Sequence, residues 1–362
     1  MNRSSCLFVT ALALLLPLVC RSEPWLDNPG HGANAGHHIV LIAGDQEYRS
    51  EEVLPQLARI LSKTHGFHTT VLFAQHAAAP GIFNPVAPVV VPGLEQLADA
   101  DLMILFTRFL ALPDEQMKSI DDFLELGKTV IGIRTATHAF SFPPGTSDSA
   151  WRHYGNEYEG GEMGAWRGGF GRLVLGEKWI SHHGEHKNQS TRGILTREGR
   201  AHSISNGIAE REIWGASDVY RVRLPLPGDS TPILLGQTID RAGPYDARDL
   251  FFGMRETDKS VAVMDAAGVR VNDPLMPIAW TKSYQIPGGR PGRTFTSTIG
   301  SSADMLSQGL RRLWVNAVFW GLGLKVPSRA NVDLVGDYSP TQFGFREPDY
   351  WVQRPMKIAD LH

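Results

Sequence analysis

Beyond residue 20 the sequence contains no cysteine. Its only two, Cys6 and Cys20, lie in an apolar leader. A chain without that leader has no disulfide framework, no thiolate metal site and no cysteine nucleophile. Positive charge is also scarce. Removing Arg3 and Arg21 from the 35 basic residues leaves 33 against 38 acidic ones, a formal charge of −5 with His neutral. With no Lys/Arg-rich run, nucleic acid is disfavoured as a partner, because phosphate neutralisation needs a basic face. Neither G-x-G-x-x-G nor G-x-x-x-x-G-K-[ST] stands at a strand-to-helix turn, so no phosphate-binding glycine loop is present.

The leader reads as a secretory signal peptide over residues 1–22: basic Arg3, an apolar stretch from Leu7 to Val19 too short to span a bilayer comfortably, and a cut after Ser22. The expectation is a periplasmic or secreted protein with no membrane span after cleavage. The alternative is an N-terminal anchor. The rest, with 42% hydrophobic content and nine tryptophans, is enough for one large globular domain or two small ones.

Along the chain, buried strands alternate with amphipathic helices. His37–Gly44 reads as a strand, followed by a helix from Ser50, with Ser50 as N-cap, to a stop at Gly66. His68–Ala74 and Asp101–Thr107 are further strands. Pro113–Gly127 is a helix with Met117, Ile120, Phe123 and Leu124 at helical spacing, and Thr129–Ile133 rises as a fourth strand. This order predicts an α/β fold with an open, mainly parallel sheet and helices on both faces. Later strand-like runs are 232–236, 277–281 and 293–298, and a last helix spans Ala303–Gly321. No linker or repeat divides residues 37–327. Residues 142–171 form an irregular, Gly- and Trp-rich insertion, and 328–362 a proline-punctuated surface tail.

In such a sheet ligands bind beyond the carboxyl ends of the strands. Three segments reach that edge: Gly44–Arg49, Thr107–Phe109 and Arg134–His138. The last follows a buried strand where α/β hydrolases and amidotransferases carry a serine or cysteine nucleophile. This turn carries neither. Thr135 or Thr137 would need an adjacent base to serve instead. His138 is a candidate acid or base, with a backbone-bonding histidine as the alternative. Asp45 and Glu47 are candidate orienting groups or, equally, solvated helix caps.

The densest histidine cluster is Trp179–Lys187, where His182, His183, Glu185 and His186 offer four ligands within five residues. Nitrogen and carboxylate donors suit zinc, manganese or iron. On an extended loop adjacent histidines point apart, so at most two share an ion. His183 and His186 are taken as that pair, with a polar surface turn or direct substrate binding as alternatives. Arg108, Trp151, Trp166 and Trp280 are candidate substrate contacts, aromatic faces suiting sugar rings, with core packing as the alternative for Trp280.

The order of these pieces resembles the ThuA-like (trehalose utilisation) family. The similar stretches are IVLIAGDQEYRS from Ile39, GKTVIGIRTATHAF from Gly127, FGRLVLG from Phe170 into WISHHGEH, HSISNGI from His202, and PIAWTKSY through RTFTSTIG to VNAVFWGLG. The resemblance implies a flavodoxin-like, class I glutamine-amidotransferase-like fold and a role in sugar catabolism. The amidotransferase relatives have G-x-C-x-G where this chain has Gly132-Ile-Arg-Thr-Ala136, so glutaminase chemistry is excluded. Many ThuA-like members show a His-Ser pair near the elbow and a late Gly-His, where this chain has Arg134-Thr135 and Gly300-Ser301.

The reading from sequence is an exported protein acting on a glycoside or keto-sugar by hydrolysis, elimination or isomerisation. His138 and His183 are acid and base, Asp45 or Glu47 orients, and Arg134 counters substrate charge. The alternatives are a non-catalytic carbohydrate-binding or complex-forming protein and a metal-dependent hydrolase.

Overall fold

The computed structural model describes residues 24–361 except 87, 146, 147 and 266, so the proposed signal peptide lies outside the described residues. Ten strands form one mixed sheet: β1 (Leu26–Asn28), β2 (His38–Gly44), β3 (His68–Phe73), β4 (Leu102–Thr107), β5 (Thr129–Ile133), β6 (Gln189–Leu195), β7 (Trp214–Gly215), β8 (Thr231–Asp240), β9 (Met276–Tyr284) and β10 (Gly292–Ser297). Their spatial order is β1-β3-β2-β4-β5-β10-β9-β8-β6-β7.

The strands β3-β2-β4-β5-β10 are mutually parallel. Numbered among themselves they run 2-1-3-4-5, the flavodoxin-like order. Every residue of β2, β4 and β5 is buried, as expected of strands covered on both faces. Antiparallel strands β9, β8, β6 and β7 extend one side, and β1 caps the other. The α/β, flavodoxin-like class read from the sequence therefore stands, with a large antiparallel flank added to it.

The helices are α1 (Ser50–Arg59), α2 (Asp114–Glu125), α3 (Arg197–Ala201), α4 (Gln308–Gly321) and α5 (Pro348–Gln353). α1 packs on β2 and β3, and α4 on β5 and β10. Several boundaries differ from expectation: the first helix, expected to reach Gly66, is α-helical to Arg59 and π-helical over Ile60–Thr64, and two helix starts are set by other residues than expected. Arg49, in the left-handed region at φ 64°, occupies the N-cap of α1, while the Ser50 hydroxyl accepts a hydrogen bond from the Asp45 amide at 2.9 Å. α4 begins at Gln308 because Ser307 caps it, its side chain accepting from the Leu310 amide, so the apolar run from Ala303 leads in through a 3-10 turn.

Residues 328–361 run over the surface but are pinned to it. Phe343, Trp351 and Ile358 are buried, and Met356–Lys357 pairs with Ile82–Phe83. Among the described residues no helix is long and apolar enough to cross a membrane.

Candidate active site

The flavodoxin-like order reverses between β2 and β4, and the loops after β2, β4 and β5 meet beyond that point. β5 ends at Ile133, and Arg134 then adopts φ 47° before a 3-10 turn through His138. A bulky side chain in that region is an outlier, held only where its surroundings over-determine it. Four acceptors supply that constraint. Arg134 Nη1 donates to the carbonyls of Asp218 and Thr298, each at 2.6 Å, and Nη2 donates to Tyr48 Oη and Asp218 Oδ1, each at 2.9 Å. The guanidinium carbon lies 4.3 Å from the Tyr48 ring centre and 3.7 Å from that of Tyr220. Arg134 is fully buried, so it does not face a substrate as the sequence reading supposed.

Its effect is exerted through Asp218. Burial opposes ionisation of that carboxyl, yet Arg134 and hydrogen bonds from His182 and His186 hold it well below the usual carboxylate range. His182 Nδ1 lies 2.6 Å from Asp218 Oδ2, and His186 Nδ1 lies 3.2 Å from Asp218 Oδ1. The other nitrogen of His186, Nε2, is 3.2 Å from Glu47 Oε1, so one imidazole joins two carboxylates. Arg108 approaches Glu47 Oε2 at 3.8 Å and donates from Nη1 to Gln46 Oε1 at 3.1 Å. Burial raises the Glu47 pKa above its ordinary value, with His186 pulling against it. The His182 side chain remains 36% exposed, and with Nδ1 on Asp218 its Nε2 is free of that carboxylate.

His138 lies beside this cluster. Its ring centre is 4.8 Å from Phe109, 5.4 Å from Trp179 and 6.1 Å from Tyr220, and its Nδ1 is 3.2 Å from Thr137 Oγ1. Burial, then Arg108 and Arg134, push its pKa well below the ordinary imidazole value, so it is neutral near pH 7. Trp179 touches both His138 and His182.

The remaining candidates fall elsewhere. His182 pairs with Tyr220 in an antiparallel bridge, and the next residue, His183, turns away: its amide donates to Val219 O, and its ring lies in the field of Arg221 and Asp265. His182, not His183, is therefore the partner of His186, since neighbours on an extended segment face opposite sides. Asp45 is a loop anchor. Its Oδ1 accepts from the amides of Glu47 and Tyr48, and its Oδ2 from Thr135 Oγ1 at 2.8 Å, with both residues buried.

Trp280 is fully buried and donates to Leu175 O at 2.7 Å, and Trp166 is buried against Tyr154 and His153, so both serve the core. Trp151 packs on His153 and Tyr154 in the irregular insertion. Among the described residues, none of these three has a ring contact with the histidine cluster.

Sequence reasoning missed Asp218, Tyr48, Tyr220, Trp179 and Phe343. Asp218 left one signal, as the single charge in the mostly apolar stretch Ile213–Tyr220, a pattern that marks a paired buried group. Phe343 left none. It comes from the tail, stacks on Tyr48 at 5.4 Å and meets the edge of His186 at 5.4 Å.

One nitrogen each from His182 and His186 and one Asp218 oxygen lie within 4.8 Å of one another, a donor set suited to zinc, manganese or iron. Both Asp218 oxygens are already engaged, one by Arg134 and His186, the other by His182. As it stands the group is a hydrogen-bonded ion-pair cluster, and an ion would have to displace those contacts.

No protein-family model and no curated protein matches the chain. Among solved structures, the chain is similar to an exo-β-1,4-mannosidase from Opitutaceae bacterium strain TAV5 at 10% identity, over 79% of this chain and 35% of that one, with a TM-score of 0.23. It is also similar to a protein described as ThuA-like from Bacteroides uniformis ATCC 8492, at 12% identity over 80% and 93% of the two chains, with a TM-score of 0.42. A third similarity, at 14% identity over 87% of this chain and 98% of the other and a TM-score of 0.42, is to a protein from Parabacteroides merdae ATCC 43184 that is likewise described as ThuA-like, the family that the order of sequence motifs resembles.

Proposed function

We propose that the chain is an exported enzyme of carbohydrate catabolism that moves protons on a glycoside or keto-sugar, with His182 as the acid–base group. The observation that carries this reading is the 2.6 Å contact between His182 Nδ1 and an Asp218 carboxylate kept ionised by buried Arg134. Asp218 holds Nδ1 of His182 and so orients the ring, leaving Nε2 to take a proton from a carbon acidified by a neighbouring carbonyl or from a hydroxyl. The same nitrogen then returns the proton to a leaving oxygen or an adjacent carbon, giving elimination or isomerisation. Neutral His138, buried behind Trp179, backs the site without facing the substrate, and Trp179 offers a face to the sugar ring. The sugar class rests on the family resemblance of the sequence.

His182→Gln should lower kcat by roughly 10²–10⁴-fold, the usual worth of general acid–base catalysis, on a keto-glycoside panel read by product chromatography, with an unchanged circular dichroism spectrum. Unaltered turnover would remove His182 from the mechanism. Sugars that raise Tm but yield no product would favour a binding protein.

A second reading, metal-assisted hydrolysis, is favoured by the His182, His186 and Asp218 donor set. Elemental mass spectrometry of the purified protein separates the two. Stoichiometric zinc, manganese or iron, absent from His186→Gln, would make the metal reading the better one, and metal-free active protein would discard it.

A further inference from the structure

The segments that carry His182 and Tyr220 have a second, differently charged side. Ile180, Arg221 and Val222 border a cleft of about 840 Å³ whose rim also holds Arg167, Arg172, Lys178 and Arg223. That volume lies within the ~300–1,000 Å³ range of small-molecule sites. Five cations outnumber the one lining carboxylate, Glu159, in a chain of net charge −3, and a concave basic surface concentrates anions.

The cations are organised. Glu177, fully buried beneath the cleft, accepts from Arg172 Nη1 at 3.0 Å and from Arg223 Nε at 3.0 Å and Nη2 at 2.6 Å, which fixes both guanidinium planes. Lys178 Nζ is tied to Asn156 O at 2.9 Å and to Glu159 Oε1 at 3.1 Å. Among the described residues, Arg167 and Arg221 have no ion-paired carboxylate. Two arginines are therefore held in position while two remain free to take an oxyanion through paired N–H donors.

We infer that this cleft is a binding site for an acidic oligosaccharide, the free guanidinium groups of Arg167 and Arg221 receiving its carboxylates. Ile180 and Val222 supply apolar contact for the C–H faces of the rings, and the open, multiply charged form suits several spaced anions better than one. The saccharide part rests on the sugar reading above, whereas the oxyanion part stands on the cleft itself.

Calorimetric titration of the full chain with trigalacturonate, neutral galactotriose and inorganic phosphate tests it, in the native protein and in Arg167→Gln/Arg221→Gln. Trigalacturonate should bind, weaken at least tenfold in the double variant, and weaken with salt, while galactotriose shows no loss attributable to the two arginines. Equal trigalacturonate affinity in both proteins, or none in the native one, overturns the site. Phosphate binding without trigalacturonate binding overturns the saccharide class. Retention of trigalacturonate binding in His182→Gln separates this result from the fate of the catalytic reading, since that variant tests turnover alone.

Discussion

Glu51 stands in the first turn of α1 with its carboxyl buried, 3.6 Å from Arg49 and with Oε2 unpartnered. Burial, only partly offset by Arg49, pushes its pKa from 4.5 up to about 8. The folded chain therefore holds a proton that the unfolded chain releases near pH 4.5, and the stability this contributes is lost as pH rises toward about 8. Glu51→Gln should flatten that decline. Denaturant melts at pH 5 and pH 8 should show the variant gaining on the native protein at the higher pH, by on the order of a few kcal/mol at most. Arg134 poses the opposite case. Arg134→Met leaves Asp218 buried without its main counter-charge and should cost about 3–5 kcal/mol in the same assay, whereas Arg134→Met/Asp218→Leu should recover part of it. At this scale the sequence was partly legible. His138, Glu47 and Arg108 were visible as polar groups beside strand ends, because such groups following a buried strand leave a sharp contrast, and the histidine run was visible as a local cluster. Which histidine faces Asp218 was not visible, since it depends on a bridge to Tyr220, 38 positions away from His182.

The elbow after β5 keeps the strained turn of a nucleophile site and fills it with a structural cation. Its seating depends on a close backbone approach. A Cβ on Gly171 would lie 2.0 Å from Thr137 O, so the turn that follows the insertion docks against the elbow only with glycine there. Gly171→Ala should therefore displace the Arg134–His138 turn, read as a lowered Tm together with lost activity. Gly145→Ala, where no atom lies within 4 Å, tests instead only a positive φ of 78° and should cost about 1 kcal/mol or somewhat more. The parallel strands were legible because β2, β4 and β5 are continuous apolar runs. β6 was not: Gln-Ser-Thr-Arg-Gly-Ile-Leu has little hydrophobic contrast, and its place is set by pairing with β7 and β8.

Across the whole molecule, the candidate-site loops and the 328–361 segment are joined. The Gly344 amide donates to Glu47 O at 2.7 Å, Arg49 Nη2 donates to Gly344 O at 2.8 Å, and Phe343 packs on Tyr48, His186 and Phe252. Phe343→Ala should cost about 3–5 kcal/mol, as large-to-small changes at buried aromatics do, and should also lower turnover because His186 loses a wall. The tail was legible only as irregular and proline-rich. Composition says nothing of where such a segment returns. That return has a consequence in time. Phe343 is made long after Tyr48 and His186, so during synthesis the histidines emerge before the segment that walls them, and assembly of the cluster waits for that segment.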